Sequence, residues 1–132
     1  PELATQAARE MIRWVSPVRH MMRTCTEDVE FHGRTLKAGE NLAMWYPAAN
    51  RDERAIENPN TFNIERDNRN QLAFGYGGHM CLGQHLAVLE VEMFVRELLP
   101  RLEHIEMAGD PDWVQAVFVG GLKSMPVRYR FR

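Results

Sequence analysis

Residues 74–83 are the feature that most restricts how this chain can fold. They hold four glycines and one cysteine, Cys81, within ten positions. Glycine accepts positive φ and lets a backbone come close to a bound group. An apolar helical pattern starts directly afterwards. We therefore expect a loop that brings the Cys81 sulfur and nearby backbone N–H groups up to a flat ligand.

Composition places the chain among soluble globular proteins. It has 132 residues, of which 45% are hydrophobic and 26% charged. A net charge of −2 gives no reason to expect nucleic acid or an anionic membrane as a partner. No apolar run approaches the roughly 18 residues that a membrane span needs, and the first residues lack a signal-peptide pattern. Two cysteines, Cys25 and Cys81, make no disulfide framework, so a cytoplasmic location is expected.

Hydrophobic spacing predicts two helices. Apolar residues recur at three- and four-residue steps over residues 3–14, and Ser16-Pro17 should end that helix. A second, more apolar helix should start at Leu82 and end at Leu99-Pro100. Because the sequence opens at Pro1 within or at the start of a helical pattern, we expect a fragment of a larger protein.

Strand signals are shorter and fall in two regions. Residues 18–46 should form a small twisted sheet, with a turn at His32-Gly33 and an end at Pro47. Residues 117–119 and 127–131 should form a hairpin around Gly120-Gly121. Residues 49–71 are polar and lack periodicity, which is typical of a long functional loop. The predicted fold class is mainly α with small β-sheets (α+β).

Cys81 is the main candidate for chemistry. For Cys25 we favour a buried free thiol that acts as a small hydrophobe. Cys81 precedes a helix, whose N-terminal N–H groups favour a thiolate. Zinc would need three or four ligands at short spacing, and only His79 and His85 are close. A thiol hydrolase with His79 as base lacks an oxyanion group, and the glycines do not fit a dinucleotide-binding pattern. An interaction module with a structural thiol is a further alternative.

Several motifs together resemble the cytochrome P450 family. The pattern Phe-x-x-Gly-x-His-x-Cys-x-Gly over residues 74–83 resembles its haem-thiolate loop. Glu10-x-x-Arg13 resembles its K-helix motif, and Asn50-Arg51-Asp52 followed by Phe62-x-x-x-Arg66 resembles its meander. Leu86-Ala87-x-Leu89-Glu90 resembles the start of its L helix. The resemblance covers nearly all of residues 1–132 and implies the C-terminal, haem-proximal part of a single P450 domain of the soluble bacterial type.

The resemblance also implies roles for individual residues. Cys81 would be the thiolate ligand of the iron of haem b (iron protoporphyrin IX), and His79 and Arg23 would pair with the haem propionates. Phe74 would pack near the sulfur. The implied cofactor-binding set is completed by Gly75, Gly83 and Ala87. The implied structural cluster is Glu10, Arg13 and Arg66, and the implied substrate-pocket residues are Met21, Met22 and Leu122.

The activity implied is that of a haem-thiolate monooxygenase. It would insert one oxygen atom of dioxygen (O2) into an apolar organic substrate, with electrons from a ferredoxin or flavoprotein. The distal helix that delivers protons in the family has no counterpart in these residues. The alternative is therefore a non-catalytic haem-binding fragment or remnant with a large exposed apolar surface. Val88 replaces an arginine that many bacterial members carry on the surface where the electron donor docks.

Overall fold

The computed structural model describes residues 2–132, and Pro1, where we expected a helical start, lies outside them. Within these residues the chain forms helices and short antiparallel strands, which confirms the mixed α+β class. The helices are α1 (Ala4–Val15), α2 (Tyr46–Ala49) and α3 (Gln84–Leu98), with a 3₁₀ helix at Gly77–His79. The strands are β1 (His20–Thr24), β2 (Val29–Phe31), β3 (Arg34–Leu36), β4 (Asn41–Trp45), β5 (Leu102–Met107), β6 (Asp112–Trp113), β7 (Leu122–Ser124) and β8 (Val127–Phe131).

Helix α1 ends where the sequence predicts. Ser16 adopts a left-handed conformation with φ 42°, and its N–H donates to the Ile12 carbonyl at 2.9 Å. Pro17 follows and cannot continue the helix. Helix α1 packs against α3 with three small buried residues, Ala4, Ala7 and Ala8.

Helix α3 begins at Gln84, two residues later than predicted. Gly83 is its N-cap, and Leu82 is fully exposed in the preceding loop. Apolar spacing alone does not separate a loop residue from the first helical turn. Cys81 therefore lies three residues ahead of the helix rather than directly before it.

The first strand region forms two separate sheets rather than the single one expected. Strand β1 pairs antiparallel with β4, with Met21 opposite Met44 and Arg23 opposite Leu42. Strands β2 and β3 form their own hairpin. The turn between β2 and β3 contains His32 at φ 49° and Gly33 at φ 75°, as a type I′ turn requires. The two sheets are separate because β1 pairs with the distant β4 and not with β2.

The predicted C-terminal hairpin is wrong. Strand β8 pairs with β5, and β7 pairs with β6. Val119 instead makes an isolated bridge with Val18. Alternation identified β8 as a strand but did not indicate its partner. Strand β5 escaped prediction because its register shifts at a bulge between Leu102 and His104, which breaks the alternating pattern.

The interior is centred on polar side chains. The largest fully buried ones are Arg13, Glu10, Asn50 and Ser16. Arg13 donates through Nε to Glu10 Oε2 at 2.7 Å and through Nη2 to Glu10 Oε1 at 2.8 Å. This two-pronged pairing matches the planar guanidinium to the planar carboxylate. A buried ion pair of this kind needs its remaining donors and acceptors satisfied.

The long polar loop satisfies them. Glu10 Oε1 accepts from the Asn63 N–H at 2.9 Å and lies 3.5 Å from Arg66 Nε. Arg66 also donates to the carbonyls of Glu57, Asn58 and Thr61. Arg13 Nη1 donates to the carbonyls of Asn50 and Pro59 at 2.8 and 3.0 Å. Glu10 and the two arginines thereby attach residues 50–66 to α1.

Asn50 extends this network towards the glycine-rich loop. Its Nδ2 donates to Ser16 Oγ at 2.8 Å, and its Oδ1 accepts from the Leu72 N–H at 2.6 Å. The Ser16 hydroxyl donates in turn to the Arg13 carbonyl at 2.7 Å. One buried amide therefore connects the end of α1 with the segment that leads into Cys81.

Much apolar surface is exposed. A folded monomer of 15.3 kDa exposes about 7,100 Å², whereas this chain exposes 9990 Å². Helix α3 contributes strongly, since none of its residues is buried. Its exposed large apolar side chains are Leu86, Leu89, Met93 and Phe94. None of the helices in residues 2–132 has the length and apolar character needed to cross a membrane.

Replacing Arg13 with alanine should lower the free energy of unfolding by about 3–5 kcal/mol, because Glu10 would stay buried without its partner. Urea unfolding measures the change. The control is Arg54→Ala, which removes an ion pair to Asp52 whose arginine side chain is 90% exposed and should change stability little. Equal effects of the two substitutions would contradict the prediction.

Glu10→Gln should remove an acid-dependent part of stability. Burial acts to raise the pKa of Glu10, but hydrogen bonds from Arg13 and the Asn63 N–H, with the charges of Arg13 and Arg66, hold it below 4.5. A depressed folded-state pKa stabilises the fold above the ordinary value, and this contribution is lost as pH falls through the folded-state value.

The unfolding free energy of Glu10→Gln should therefore be lower than that of the unmodified protein at neutral pH. The gap should shrink as pH falls below 4.5. Urea unfolding of both proteins over this pH range measures the gap. A gap that stays constant with pH would refute the assignment of this titration to Glu10.

Candidate functional site

The glycine-rich loop is a compact turn closed by backbone hydrogen bonds. The Cys81 N–H donates to the Phe74 carbonyl at 2.9 Å, and the Met80 N–H to the Gly77 carbonyl at 3.0 Å. Gly75 and Gly77 both have φ 75°, a conformation that side chains with a Cβ rarely adopt. The glycines are thus needed to fold the chain back so that Phe74 and Cys81 come together.

Cys81 is an exposed free thiol just ahead of the 15-residue helix α3. No side chain caps the N-terminus of this helix. A Cβ added at Gly83 would lie 4.0 Å from the Cys81 sulfur. The sulfur therefore lies close to the start of α3, at a position where Gly83 adds no side chain.

The Cys81 side chain lines an apolar cavity of about 610 Å³, within the range of small-molecule sites. Because it holds Cys81, it is called the main cavity below. Helix α1, strand β1, the glycine-rich loop and helix α3 all contribute to its wall. The lining residues are Ile12, Pro17, Val18, Met21, Arg23, Tyr46, Ala73, Phe74, His79, Cys81, Ala87, Glu90 and Val91.

Most of the residues singled out from the sequence meet at this cavity. Cys81, Phe74, His79, Arg23 and Ala87 line it, as does Met21. Met22 does not line it, because neighbouring strand residues point to opposite faces.

Leu122 is also outside the cavity and lines a separate groove with Trp14 and Trp113. Cys25 lies outside as well, in the turn after β1. It is half-buried rather than fully buried as expected.

A second cavity, of about 530 Å³, lies on the other side of the loop. Phe74 lines both cavities and so separates them. Gly75 and Val88 line this second cavity, and its basic side chains are Arg9, Arg69 and His85. The loop therefore presents an apolar cavity on one side and a more basic recess on the other.

The sequence assigned no individual role in the site to three residues that the structure brings to it or to its support. Tyr46 is buried and lines the main cavity, while Asn50 and Ser16 belong to the buried network behind it. Asn50 lay within a polar stretch, where nothing marks one amide as buried. Pro47 signalled only the end of a strand, not the inward position of the preceding Tyr46 ring.

The cavity suits a flat apolar group that carries carboxylates and a metal that binds sulfur. It offers a thiol for the metal and apolar walls for the ring. Arg23 and His79 are hydrogen-bond donors for carboxylates. Within residues 2–132 the side chain of Arg23 donates only to the neighbouring Met22 carbonyl, at 2.9 Å, so other guanidinium N–H groups are free. Glu90 is the single acidic lining residue.

Comparisons with known proteins identify the family. The profile of the family described as Cytochrome P450 matches residues 2–126. Cytochrome P450-terp from a Pseudomonas species is 46% identical over 98% of this chain and 30% of its own length. A Steroid C26-monooxygenase from Mycobacterium tuberculosis is 42% identical over 96% of the chain and 35% of its own length.

Solved structures agree. The crystal structure of CYP108D1 from Novosphingobium aromaticivorans superposes with a TM-score of 0.93 at 42% identity, covering 99% of this chain and 32% of that one. The chain belongs to the cytochrome P450 family, whose cofactor is haem b. It spans about a third of the length of the relatives it matches.

Gly75→Ala should destabilise the loop more than the matched Gly77→Ala. Both positions have φ 75°, so the free energy of unfolding of both variants should fall by about 1–2 kcal/mol, because a residue with a Cβ is strained in the left-handed conformation. Only at Gly75 would the Cβ also meet a side chain, the Tyr46 hydroxyl at 3.1 Å; nothing lies within 4 Å at Gly77. Overpacking should add about 1 kcal/mol. Thermal or urea unfolding measures both variants, and equal losses would contradict the packing argument.

Proposed function

We propose that this chain forms the haem-binding part of a P450 monooxygenase, in which haem b would occupy the main cavity and the Cys81 thiolate would be a ligand of its iron. The observation that carries the proposal is the place of Cys81 on the wall of an apolar cavity, in a chain that belongs to this family. The ordered glycine-rich loop supports it, since Cys81 stands three residues before Gln84, the first residue of a helix whose N-terminus no side chain caps.

Other residues of the cavity hold the cofactor in this proposal. Arg23 and His79 donate hydrogen bonds to the haem propionates. Phe74 packs on the sulfur side and, by excluding water from it, influences the potential of the iron. Gly75 and Gly83 give the loop its shape, and Ala87 leaves room for the ring. When bound, a haem with a thiolate ligand supplies the chemistry that cleaves the O–O bond of dioxygen.

Glu10, Arg13 and Arg66 have a structural role in this proposal. Their buried pairing attaches residues 50–66 to α1, and Asn50 relays this attachment to Leu72. The loop that presents Cys81 begins two residues later. A rigid support of this kind keeps the sulfur in position without any cluster residue touching the cofactor.

The proposed substrate is an apolar organic molecule. Met21, Val18 and Ile12 give the cavity apolar walls. The names of relatives agree with this class, since they include a Steroid C26-monooxygenase and a Methyl-branched lipid omega-hydroxylase. Contacts of Met22 and Leu122 with substrate stay predictions from the family resemblance.

The proposed electron donor is a ferredoxin or flavoprotein, and the protein is proposed to be cytoplasmic. Arg9, Arg69 and His85 border the recess behind the loop, where an acidic donor surface would be attracted. Val88 lies in the same recess, so its replacement of arginine removes one positive charge there. The cytoplasmic location is supported by the two free cysteines.

Spectroscopy of the carbon-monoxide complex tests the ligand assignment. The reduced, haem-loaded protein should show the red-shifted Soret band of thiolate ligation, because the Cys81 sulfur donates electron density to iron. Cys81→Ser should lose this band, whereas the matched Cys25→Ser variant should keep it. Absence of haem uptake, or an unchanged band in Cys81→Ser, would overturn the proposal.

Turnover separates the enzyme from the haem-binding remnant considered above. A surrogate oxidant replaces both dioxygen and the electron donor, so it requires only the haem, its thiolate and a bound substrate. Oxidised product from a fatty acid or steroid probe would support the monooxygenase. A thiolate spectrum without any product would favour the remnant.

A further inference from the structure

Tyr46 carries a hydroxyl group to which neither the family motifs nor the buried network assigns a role. The residue is only 8% exposed and lies on the wall of the main cavity with Cys81 and His79. Its hydroxyl oxygen makes no hydrogen bond within residues 2–132. The oxygen is not one of the fully buried side-chain atoms that lack a partner, so it is open to the cavity, where a polar group of an entering ligand can reach it.

The backbone holds Tyr46 firmly at this position. Its N–H donates to the Arg19 carbonyl at 3.0 Å, and its carbonyl accepts from the Asn50 N–H at 2.8 Å. Pro47 follows within the first turn of α2, which further restricts the chain. Asn50 is itself anchored to Ser16 and Leu72. The ring is therefore oriented before any ligand binds.

Glycine-rich loop residues determine where the hydroxyl lies. A Cβ on Gly75 would be 3.1 Å from the Tyr46 hydroxyl oxygen and 3.9 Å from the His79 carbonyl oxygen. The hydroxyl thus lies next to the Gly75 backbone, and the His79 carbonyl lies near the same glycine. His79 is also one of the two residues proposed above to bind a propionate.

We propose that the Tyr46 hydroxyl donates a hydrogen bond to a propionate carboxylate of the bound haem, beside His79. This inference rests on the proposed haem-thiolate function. A neutral phenol is a good donor to a carboxylate, and such charge-assisted bonds are short and strong. Arg23 lies further along β1, opposite Leu42, so Tyr46 and Arg23 serve different parts of the two carboxylates.

Haem retention in the full-length protein tests the proposal. Tyr46→Phe keeps the ring and removes only the hydroxyl, and it should speed haem transfer to an acceptor such as apomyoglobin about tenfold, as loss of one charge-assisted bond predicts. Tyr129→Phe is the matched control, because Tyr129 is 57% exposed on β8 and does not line the cavity. Equal transfer rates for Tyr46→Phe and the unmodified protein would overturn the inference.

The same transfer measurement with haem dimethyl ester tests whether a propionate is the acceptor of the Tyr46 hydrogen bond. Its propionates are esterified and carry no negative charge, so the difference between Tyr46→Phe and the unmodified protein should largely disappear. If the difference in transfer rate persists with the ester, the hydroxyl interacts with the sulfur or the ring instead of a propionate, and the proposal is overturned. The carbon-monoxide band distinguishes failure of the Cys81 ligand proposal from failure of the Tyr46 proposal. A protein that loads haem with a thiolate band but shows no effect of Tyr46→Phe refutes only the Tyr46 assignment.

Discussion

The buried ion pair between Glu10 and Arg13 is the interaction on which the rest of this structure depends. Two charges withdrawn from water are costly unless both are fully hydrogen-bonded. Here the partners come from far along the chain: the Asn63 N–H, the Asn50 and Pro59 carbonyls, and Arg66. A long polar loop that has no periodic structure of its own is ordered because it satisfies this pair.

This arrangement explains how a chain with few buried apolar residues presents an ordered loop. Asn50 belongs to both parts of the structure, since it binds Ser16 at the end of α1 and Leu72 before the glycine-rich loop. Helix α3 then continues from Gly83 and packs against the small residues of α1. Cys81 consequently lies between the segment at Leu72 and helix α3. Asn50 links the first to the end of α1, and the second packs against α1 directly. The apolar face of α3 remains exposed in this chain.

Local patterns in the sequence predicted local structure well and pairing poorly. The end of α1 at Ser16-Pro17 and the His32-Gly33 turn depend on φ preferences of one or two residues, and both were found. Strand β8 was recognised by alternation, but its partner β5 was not, because pairing depends on segments that meet only after folding. The cavity shows the same division. Cys81 and Phe74 stand out in the glycine-rich loop, whereas Tyr46 has no local pattern that marks it.

The sequence by itself determined the identity of the thiol, the loop that carries it and the pair Glu10 and Arg13, because spacing along one helix or one loop is a short-range property. Tertiary structure decided which side of the loop faces the apolar cavity, which of Met21 and Met22 reaches it, and that Tyr46 brings a hydroxyl there. The physical reason is that burial is set by packing between distant segments. The sequence alone does not show whether a polar residue such as Asn50 forms its hydrogen bonds with water or with buried groups of the protein.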